Sequence, residues 1–164
     1  MCKIRVAEEK DIRGVMNIYN KAILETVSTF DTEEKSLEEM KEWFNNHGSK
    51  NPIVVAEIKD EIVGWAALSK YSTRCAYSDT AEISLYVKEK DQGKGFGKKL
   101  MEFILDNGKK AGLHTVTARI TEGNEISVNL HKKFGFEYVG IYKEVGFKFG
   151  KRLDAYLMEK MYRS

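Results

Sequence analysis

The sequence predicts an α/β fold in which helices flank a mixed β-sheet, with the element order β-α-α-β-β-β-α-β-α-β-β. Segments whose apolar residues recur at every second position, the period of a half-buried strand, alternate with segments of helical three- and four-residue spacing. Strands joined by short polar turns should pair antiparallel, whereas strands joined through a helix should pair parallel. A chain of 164 residues can bury one substantial core, so we expect one domain over residues 1–164.

In the first half of the chain, the patterns predict one strand, two helices and a hairpin. A short strand at 3–6 precedes the first helix, and Ser36 with Glu39 forms a capping box at the start of the second. Residues 53–58 and 62–68 alternate as two strands around a three-residue polar turn, which predicts a β-hairpin. The first helix carries an apolar stripe at Ile12, Val15, Met16, Tyr19, Ala22 and Ile23, and the second at Leu37, Met40 and Phe44.

The second half of the chain continues with an irregular loop at 71–77 and a strand at 80–88 that alternates apolar and polar residues. One face of this strand is apolar and is predicted to be buried, whereas the opposite face carries Glu82 among other polar residues. Gly112 marks the end of the helix that follows. The remaining elements are predicted as a strand at 115–120, a helix at 124–134, and strands at 136–141 and 153–161.

Composition and charge exclude several classes of function. The 27 basic and 25 acidic residues leave a net charge of +2, which gives no global attraction to nucleic acid or to a membrane surface. No stretch approaches the roughly 18–20 apolar residues of a membrane span. The first six residues alternate in character instead of forming the apolar centre of a signal peptide. We therefore expect a cytoplasmic protein that has neither nucleic acid nor a membrane as its partner.

The cysteines and histidines indicate neither a disulfide framework nor a metal centre. Cys2 and Cys75 are the only cysteines, and we expect both to be free thiols. The three histidines are scattered and lack the spacing of metal ligands, so we expect no metal. A nucleophilic role for Cys75 is disfavoured as well, because the sequence suggests no activating partner for its thiol.

A glycine-rich turn between the strand at 80–88 and the following helix is the most informative segment. Because glycines lack a Cβ atom, their backbone N–H groups can approach an anion closely, and the positive end of the helix dipole favours a phosphate there. A flexible turn that needs positive φ is the alternative explanation for the glycines taken alone. The segment contains Gly93, Lys94, Gly95, Phe96, Gly97, Lys98 and Lys99.

Two established nucleotide-binding motifs do not match this turn. A P-loop requires Gly-Lys followed by Ser or Thr, and the sequence contains no such triplet. A dinucleotide-binding fold places Gly-x-Gly-x-x-Gly after its first strand, with an acidic residue about 20 positions later. Here the turn lies past the middle of the chain, and Gly97 comes one position too early for that spacing.

Two spaced motifs resemble those of the GNAT superfamily of N-acetyltransferases. Gln92-x-x-Gly95-x-Gly97 is similar to the pyrophosphate-binding motif, and the segment from Asn124 through Ser127 and His131 to Gly135-Phe136 resembles the second motif. The resemblance implies a GNAT-type fold with acetyl-CoA as co-substrate. Taken alone, Asn124 could be a helix N-cap and Gly135 a helix C-cap. By resemblance, the acetyl-CoA-binding residues are Leu85, Tyr86, Val87, Gln92, Gly93, Lys94, Gly95, Phe96, Gly97, Lys98, Asn124 and Ser127.

Three further stretches resemble one branch of that superfamily, the phosphinothricin/methionine sulfoximine acetyltransferases. They are 27–30 (Val-Ser-Thr-Phe), 74–82 (Arg-Cys-Ala-Tyr-Ser-Asp-Thr-Ala-Glu) and 145–150 (Val-Gly-Phe-Lys-Phe-Gly). The likeness to this branch extends from about Ile4 to Tyr162. It implies a small amino-acid-like amine as the substrate and a homodimer as the assembly.

The same resemblance implies the residues that contact the substrate. Arg74 and Tyr77 would bind its acidic head, and Phe30 would form a wall of the pocket. Asp79 departs from the pattern of the branch, which usually has tryptophan at that position. The shape of the pocket and the choice of substrate are therefore left open by the resemblance.

Acetyl transfer to an alkylammonium requires a group that accepts its proton, directly or through water. Glu82 matches the catalytic glutamate of the branch, although strand alternation alone would make it an ordinary outward-facing residue. A solvated carboxylate is a weak base, so burial or a water relay would have to assist it. His131 matches the histidine that this branch has where other members carry the tyrosine that protonates the departing thiolate. In the superfamily, strand N–H groups near 85–87 stabilise the oxyanion.

Three functions remain open from the sequence. The first is acetylation of an amino acid such as phosphinothricin, methionine sulfoximine or methionine sulfone. The second keeps the chemistry but uses a protein N-terminus, a polyamine or an aminoglycoside, and Arg74 argues against a polyamine because it favours an acidic substrate group. The third is a non-catalytic acyl-CoA-binding sensor, against which the presence of both Glu82 and His131 speaks.

Overall fold

The strands and helices follow the predicted order. A computed structural model describes residues 1–163 and contains seven strands and four α-helices over that range. The α/β class and the element order predicted from the sequence are confirmed. None of the helices in these residues is both long and apolar enough to cross a membrane. The elements are β1 (Cys2–Val6), α1 (Ile12–Glu25), α2 (Leu37–Asn45), β2 (Ile53–Ile58), β3 (Glu61–Lys70), β4 (Thr80–Val87), α3 (Phe96–Lys110), β5 (Thr115–Thr121), α4 (Glu125–Lys133), β6 (Glu137–Lys148) and β7 (Lys151–Met161).

All seven strands form one sheet in the order β1-β2-β3-β4-β5-β7-β6. The pair β4–β5, which α3 connects, is parallel as predicted, and all other neighbours are antiparallel. For two other helical connections the prediction of parallel pairing is wrong. The β1–β2 pair is antiparallel across two helices, and β6 does not pair with β5 because β7 lies between them. The strand β7 forms a hairpin with β6 along one edge and hydrogen-bonds to β5 along the other. The last strand of the chain therefore lies inside the sheet and not at its edge.

Local backbone conformation explains two differences from the predicted strand boundaries. Lys59 and Asp60 have positive φ angles of 49° and 65°, so a two-residue turn joins β2 to β3 where three residues were predicted. The strand β6 runs to Lys148, whereas its predicted end was Ile141. The register of β6 shifts around Glu144, whose φ is 52°. This bulge interrupts the alternation and hid the second half of the strand from the sequence pattern.

Helices cover both faces of the sheet, and each face buries its own apolar cluster. On one face, Leu100 and Ile104 of α3 are fully buried beside α4 and the central strands. On the other face, α1 and α2 pack over Val55 and Trp65. Each such side chain contributes about 1.5–3 kcal/mol to folding through burial alone. The predicted alternation of β4 is confirmed, because its apolar residues join the α3 cluster while Tyr86 packs on the α1–α2 side.

A partly buried histidine ties the end of α2 to β3. His47 Nδ1 lies 2.7 Å from the Trp43 carbonyl oxygen, and Nε2 lies 2.9 Å from Ser69 Oγ. Because a carbonyl oxygen only accepts hydrogen bonds, Nδ1 donates to it and Nε2 accepts from the serine hydroxyl. Burial lowers the pKa of His47, and the bond to Trp43 opposes that shift. The contact between α2 and β3 therefore includes an imidazole that is most stable in its neutral form.

We expect the free energy of unfolding to fall as the pH decreases from about 7.5 to 5.5, in part because of His47. In the unfolded chain an imidazole has its ordinary pKa near 6.5, so the unfolded state takes up this proton at a higher pH than the folded state. One group of this kind contributes at most about 1.4 kcal/mol per pH unit. Urea unfolding across this range should show a shallower pH dependence for His47→Gln than for the wild type, and equal slopes would contradict the assignment.

Candidate active site

The candidate site begins where two neighbouring strands separate. The strand β4 pairs with β5 at three positions, the last of which joins Glu82 to Thr117. Beyond Glu82, β4 continues to pair with β3 as far as Val87, and β5 continues to pair with β7 as far as Thr121. A wedge therefore opens in the middle of the sheet, between the second halves of β4 and β5.

Backbone donors of β4 point into this wedge. The Lys88 N–H donates to Val63 O at 2.8 Å, so the even-numbered residues of this segment bond to β3. In an antiparallel pair the bonding direction alternates along the strand, so the N–H groups of Leu85 and Val87 face the wedge. The Val87 carbonyl oxygen accepts a hydrogen bond from Gln92 Nε2 at 3.1 Å. The open edge of β4 thus presents two fixed N–H donors.

The glycine-rich turn supplies further donors at the start of α3. Gly93 and Gly95 have φ angles of +80° and +88°, which side-chain-bearing residues rarely adopt, so the predicted need for positive φ is confirmed. Gly95 is the N-cap of α3, and its carbonyl oxygen accepts the bond from the Lys99 N–H. The N–H groups at 96–98 precede this hydrogen-bond ladder and can bind an anion. A turn that needs positive φ and an anion site are therefore compatible explanations of the same glycines.

A cavity of about 860 Å³, which we term the outer cleft, lies between this turn, β4, α1 and α4. Lys94, Gly95 and Lys98 are outside its lining, and the Lys94 ammonium lies 3.2 Å from Asp91 Oδ1. Nine of the twelve residues predicted to bind acetyl-CoA line the outer cleft, namely Leu85, Tyr86, Val87, Gln92, Gly93, Phe96, Gly97, Asn124 and Ser127. The helix α1 also lines the cleft, although no sequence motif indicated it, through Asn17, Ile18, Lys21, Ala22 and Glu25. Helical periodicity shows which face is apolar but not which neighbour that face meets.

A second cavity of about 280 Å³, which we term the inner chamber, lies beside the outer cleft and shares six lining residues with it. Glu82, His131 and Phe30, which the sequence motifs indicate as site residues, all line the inner chamber. Arg74 and Tyr77 are exposed residues at the turn before β4 and line neither cavity, so their contact with a substrate stays a prediction. The lining residues shared by the two cavities are Ser28, Leu85, Tyr86, Asn124, Ser127 and Leu130.

The first turn of α4 borders both cavities. Asn124 Oδ1 accepts a hydrogen bond from the Ser127 N–H at 3.3 Å, which confirms the N-cap interpretation of Asn124. Gly135 has a φ of +90° just after the helix, as expected for a C-cap glycine. Both Asn124 and Ser127 also line the two cavities. Capping and ligand contact are compatible at Asn124, because the cap uses its Oδ1 atom and leaves the amide nitrogen for another partner.

Glu82 lies at the closed end of the wedge, on the polar face of β4. Its side chain is half-buried and lines the inner chamber. Glu82 lies between two neighbouring strands, because its register partners are Thr117 of β5 on one side and Ser69 of β3 on the other. No group of three or more His, Cys, Asp or Glu side chains within residues 1–163 is arranged to hold a metal ion.

His131 is buried in the wall of the inner chamber, with 5% of its surface exposed. Nδ1 lies 2.7 Å from the Ser127 carbonyl oxygen, so Nδ1 carries the hydrogen and Nε2 keeps its lone pair. The ring packs edge-on against Phe136, with 4.9 Å between ring centroids. Burial lowers the pKa of His131, although the bond to Ser127 opposes the shift. The imidazole is therefore neutral near pH 7 and can accept a proton at Nε2.

The segment 26–31, which follows α1, forms one wall of the inner chamber and is held by buried side chains from two strands. Thr121 Oγ1 of β5 donates to Val27 O at 2.6 Å, and Lys148 Nζ of β6 donates to Thr29 O at 2.8 Å. Lys148 is only 4% exposed, and burial lowers its pKa. The wall is thus attached to the sheet through its own backbone carbonyl groups.

Tyr19 of α1 and Tyr86 of β4 also contact segment 26–31. The Tyr19 hydroxyl hydrogen-bonds to Thr29 Oγ1 at 2.9 Å and also to the Asp31 carboxylate. Its ring packs edge-on against Tyr86, with centroids 5.3 Å apart. Burial raises the pKa of Tyr19 and raises that of Tyr86 to about 12. Both hydroxyls therefore stay protonated at neutral pH and remain hydrogen-bond donors.

Phe30 packs against β6 at a glycine that leaves room for the ring. A Cβ atom built at Gly146 would lie 2.5–2.8 Å from three atoms of the Phe30 ring. Such distances are much shorter than a van der Waals contact, so any other residue at this position would displace the ring or the strand. Gly146 therefore sets the position of an aromatic wall of the inner chamber.

Comparison with known proteins gives consistent matches over nearly the whole chain. A family model described as "Acetyltransferase (GNAT) domain" matches residues 4–157. A phosphinothricin N-acetyltransferase of Streptomyces coelicolor is 35% identical, over 96% of this chain and 95% of that protein. An L-methionine sulfoximine/L-methionine sulfone acetyltransferase of Pseudomonas aeruginosa is 33% identical, over 95% and 92%. The structure of a GNAT superfamily phosphinothricin acetyltransferase from Sinorhizobium meliloti in complex with acetyl-CoA has a TM-score of 0.93 at 31% identity, over 98% and 88%.

We expect Gly146→Ala to lower the free energy of unfolding by about 1–3 kcal/mol, because the added methyl group overpacks the contact with Phe30. Gly140→Ala in the same strand is the matched control, since nothing lies within 4 Å of a Cβ at Gly140. Adding Phe30→Leu to Gly146→Ala should restore part of the loss. Urea unfolding measures all three variants, and equal effects of the two glycine substitutions would contradict the contact.

Proposed function

The chain belongs to the GNAT family of acetyltransferases, and we propose that it transfers an acetyl group from acetyl-CoA to the primary amine of a small amino-acid-like substrate. The proposed substrates are of the phosphinothricin, methionine sulfoximine or methionine sulfone type. These are the compounds that appear in the names of the relatives of this chain. The observation that carries the proposal is that the outer cleft and the inner chamber share lining residues at the open edge of β4, among them Leu85 and Tyr86. A thioester in the cleft and an amine in the chamber would meet there.

The residues of the outer cleft fit acetyl-CoA, which supplies the acetyl group as an activated thioester. Backbone N–H groups at 96–98 and the nearby lysines match the charge of a pyrophosphate. The apolar side chains of Ile126 and Leu130 and the polar groups of Asn124 match a long, partly polar arm. The residues that we assign to this role are Leu85, Tyr86, Val87, Gln92, Gly93, Lys94, Gly95, Phe96, Gly97, Lys98, Asn124 and Ser127.

Glu82 is the general base in this proposal. Its carboxylate lines the chamber and would accept the proton of the substrate ammonium, directly or through a water molecule, so that the neutral amine can attack the acyl carbon. The N–H groups of Leu85 and Val87 face the wedge, where negative charge would develop on the acyl oxygen. One preorganised donor of this kind contributes about 2.7–4 kcal/mol of transition-state stabilisation in other enzymes.

His131 has the second proton-handling role. Its neutral form and free Nε2 lone pair allow it to take up a proton in the chamber and to return it to the departing thiolate. Phe30 forms the aromatic wall beside the substrate, and Arg74 and Tyr77 would contribute if the turn before β4 approaches the chamber when the substrate binds.

We further propose a single-domain cytoplasmic enzyme. One seven-stranded sheet includes strands from both ends of the described chain, which supports the single domain. Cys2 and Cys75 are both free thiols, as predicted, which suits a reducing compartment.

A homodimer is the proposed assembly, and an apolar strip on β6 supports it. This edge strand has only β7 as its neighbour in the sheet, and edge strands with exposed apolar side chains tend to associate. Each residue of the strip has about half of its surface exposed. The strip consists of Tyr138, Val139, Ile141, Tyr142, Val145 and Phe147.

The proposed activity is tested by thiol release from acetyl-CoA with a panel of amines. The panel contains phosphinothricin, methionine sulfoximine, methionine sulfone, spermidine, an aminoglycoside and a short peptide. We expect turnover of the amino-acid-like compounds, with the others at least about tenfold lower in kcat/KM, since a chamber of this size favours small acceptors. Turnover confined to spermidine, the aminoglycoside or the peptide would keep the chemistry and contradict the substrate class.

Replacement of the base separates an enzyme from an acyl-CoA sensor. We expect Glu82→Gln to lower kcat by about 10²–10⁴-fold, because general-base assistance is lost, while acetyl-CoA affinity by calorimetry stays within about twofold. Glu102→Gln, on the exposed face of α3, is the matched control. Unchanged turnover in Glu82→Gln would remove this residue as the base, and absence of turnover in the wild type with intact acetyl-CoA binding would favour the sensor.

The dimer is tested by light scattering. We expect Ile141→Asp combined with Val139→Asp to convert a dimer of the wild type into a monomer, because two carboxylates would be buried at the β6 strip. Leu24→Asp, at an equally exposed apolar position on α1, should leave the mass unchanged. A monomeric wild type at micromolar concentration would contradict the proposed assembly.

A further inference from the structure

Arg119 of β5 is a lining residue of the inner chamber that no sequence motif singled out. The parallel register places Thr117 opposite Glu82, and Arg119 follows two residues later on the same face of β5. Two residues along a strand span about 6.6 Å. The Glu82 carboxylate and the Arg119 guanidinium therefore lie on the same face of the sheet. They are on opposite sides of the wedge, and Arg119 is displaced along the strand direction.

The guanidinium of Arg119 is available to a ligand. It is the only arginine or lysine among the described residues that line the inner chamber. Within residues 1–163 it forms no ion pair with an aspartate or glutamate. Its side chain is exposed, and its guanidinium carbon lies 6.0 Å from the centre of the Tyr142 ring, which supports it from one side. An arginine in this state presents its fork of N–H donors to the chamber.

Two other cations near the site are less suited to this role. Lys148 is buried and its ammonium already donates to the Thr29 carbonyl oxygen. Arg74 lies at the exposed turn before β4 and lines neither cavity. An anionic group of a molecule inside the chamber would thus meet Arg119 before either of them.

We propose that Arg119 binds the α-carboxylate of the amine substrate and thereby determines that the enzyme selects amino acids over other amines. The inference rests on the proposed acetyltransferase function. The planar guanidinium can bind a carboxylate through two parallel N–H bonds. With the carboxylate held by Arg119, the ammonium group on the adjacent carbon is left to face Glu82, its proton acceptor. The zwitterion of an amino acid is therefore matched by two groups of opposite charge on neighbouring strands.

The test compares methionine sulfone with its α-carboxamide, which keeps the amine and the side chain but lacks the anionic group. We expect the wild type to prefer the acid, and Arg119→Gln to lower kcat/KM for the acid by about 10- to 100-fold, mainly through KM, since a charge-assisted hydrogen bond is lost. Turnover of the carboxamide should change by less than about twofold, which also shows that the variant is folded. Arg119→Lys should retain part of the preference, because the charge remains.

Two further arginine variants locate the effect. Arg13→Gln, at an exposed position of α1 outside both cavities, should behave as the wild type. An unchanged preference for the acid in Arg119→Gln, or its loss in Arg74→Gln instead, would overturn the assignment of Arg119 while leaving the acetyltransferase proposal intact. If the wild type acetylates no amino-acid-like compound of the panel, the proposed function itself fails and the role of Arg119 fails with it.

Discussion

The early end of the β4–β5 pairing is the constraint on which the rest of the site depends. Once the strands separate beyond Glu82 and Thr117, the N–H groups of Leu85 and Val87 have no strand partner and require water or a ligand. Such an opening would weaken an isolated strand pair, but β3 and β7 hold the outer edges of the two strands. The result is a fixed opening with backbone donors at its edge, and both cavities are lined by Leu85 and Tyr86 of that edge.

The inner chamber keeps its shape because its loop wall is held by hydrogen bonds to buried side chains. Lys148 and Thr121 reach the backbone of segment 26–31 from different strands. A buried ammonium is unfavourable unless it is hydrogen-bonded, so Lys148 favours the conformation in which Thr29 accepts its bond. The close contact between Phe30 and Gly146 then fixes the aromatic surface of the chamber. The shape of the inner chamber is consequently set by residues from α1, the loop and two strands together.

Charge acts locally in this nearly neutral protein. The start of α3 offers N–H donors and lysines to an anion, whereas the inner chamber carries a carboxylate at Glu82, a guanidinium at Arg119 and a neutral imidazole at His131. A chamber with both signs of charge suits a zwitterion better than a polyamine, which carries only positive charge. The net charge of +2 does not indicate this arrangement. The charged groups of the site have opposite signs, so they cancel in the total, although they lie a few residues or one strand apart.

The sequence by itself determined the α/β class, the element order, the glycine-rich turn and the capping box of Ser36 and Glu39, because these depend on periodicity and on residues that are neighbours in the chain. It also indicated Glu82, His131 and Phe30 through motifs, and the structure brings these three together around one chamber. Only the tertiary structure decided that β7 lies between β5 and β6 and that Arg119, not Arg74, lines that chamber. These arrangements join segments that are distant in sequence. Strand pairing and packing between such segments depend on the complementarity of whole surfaces, and no local pattern of residues encodes that complementarity.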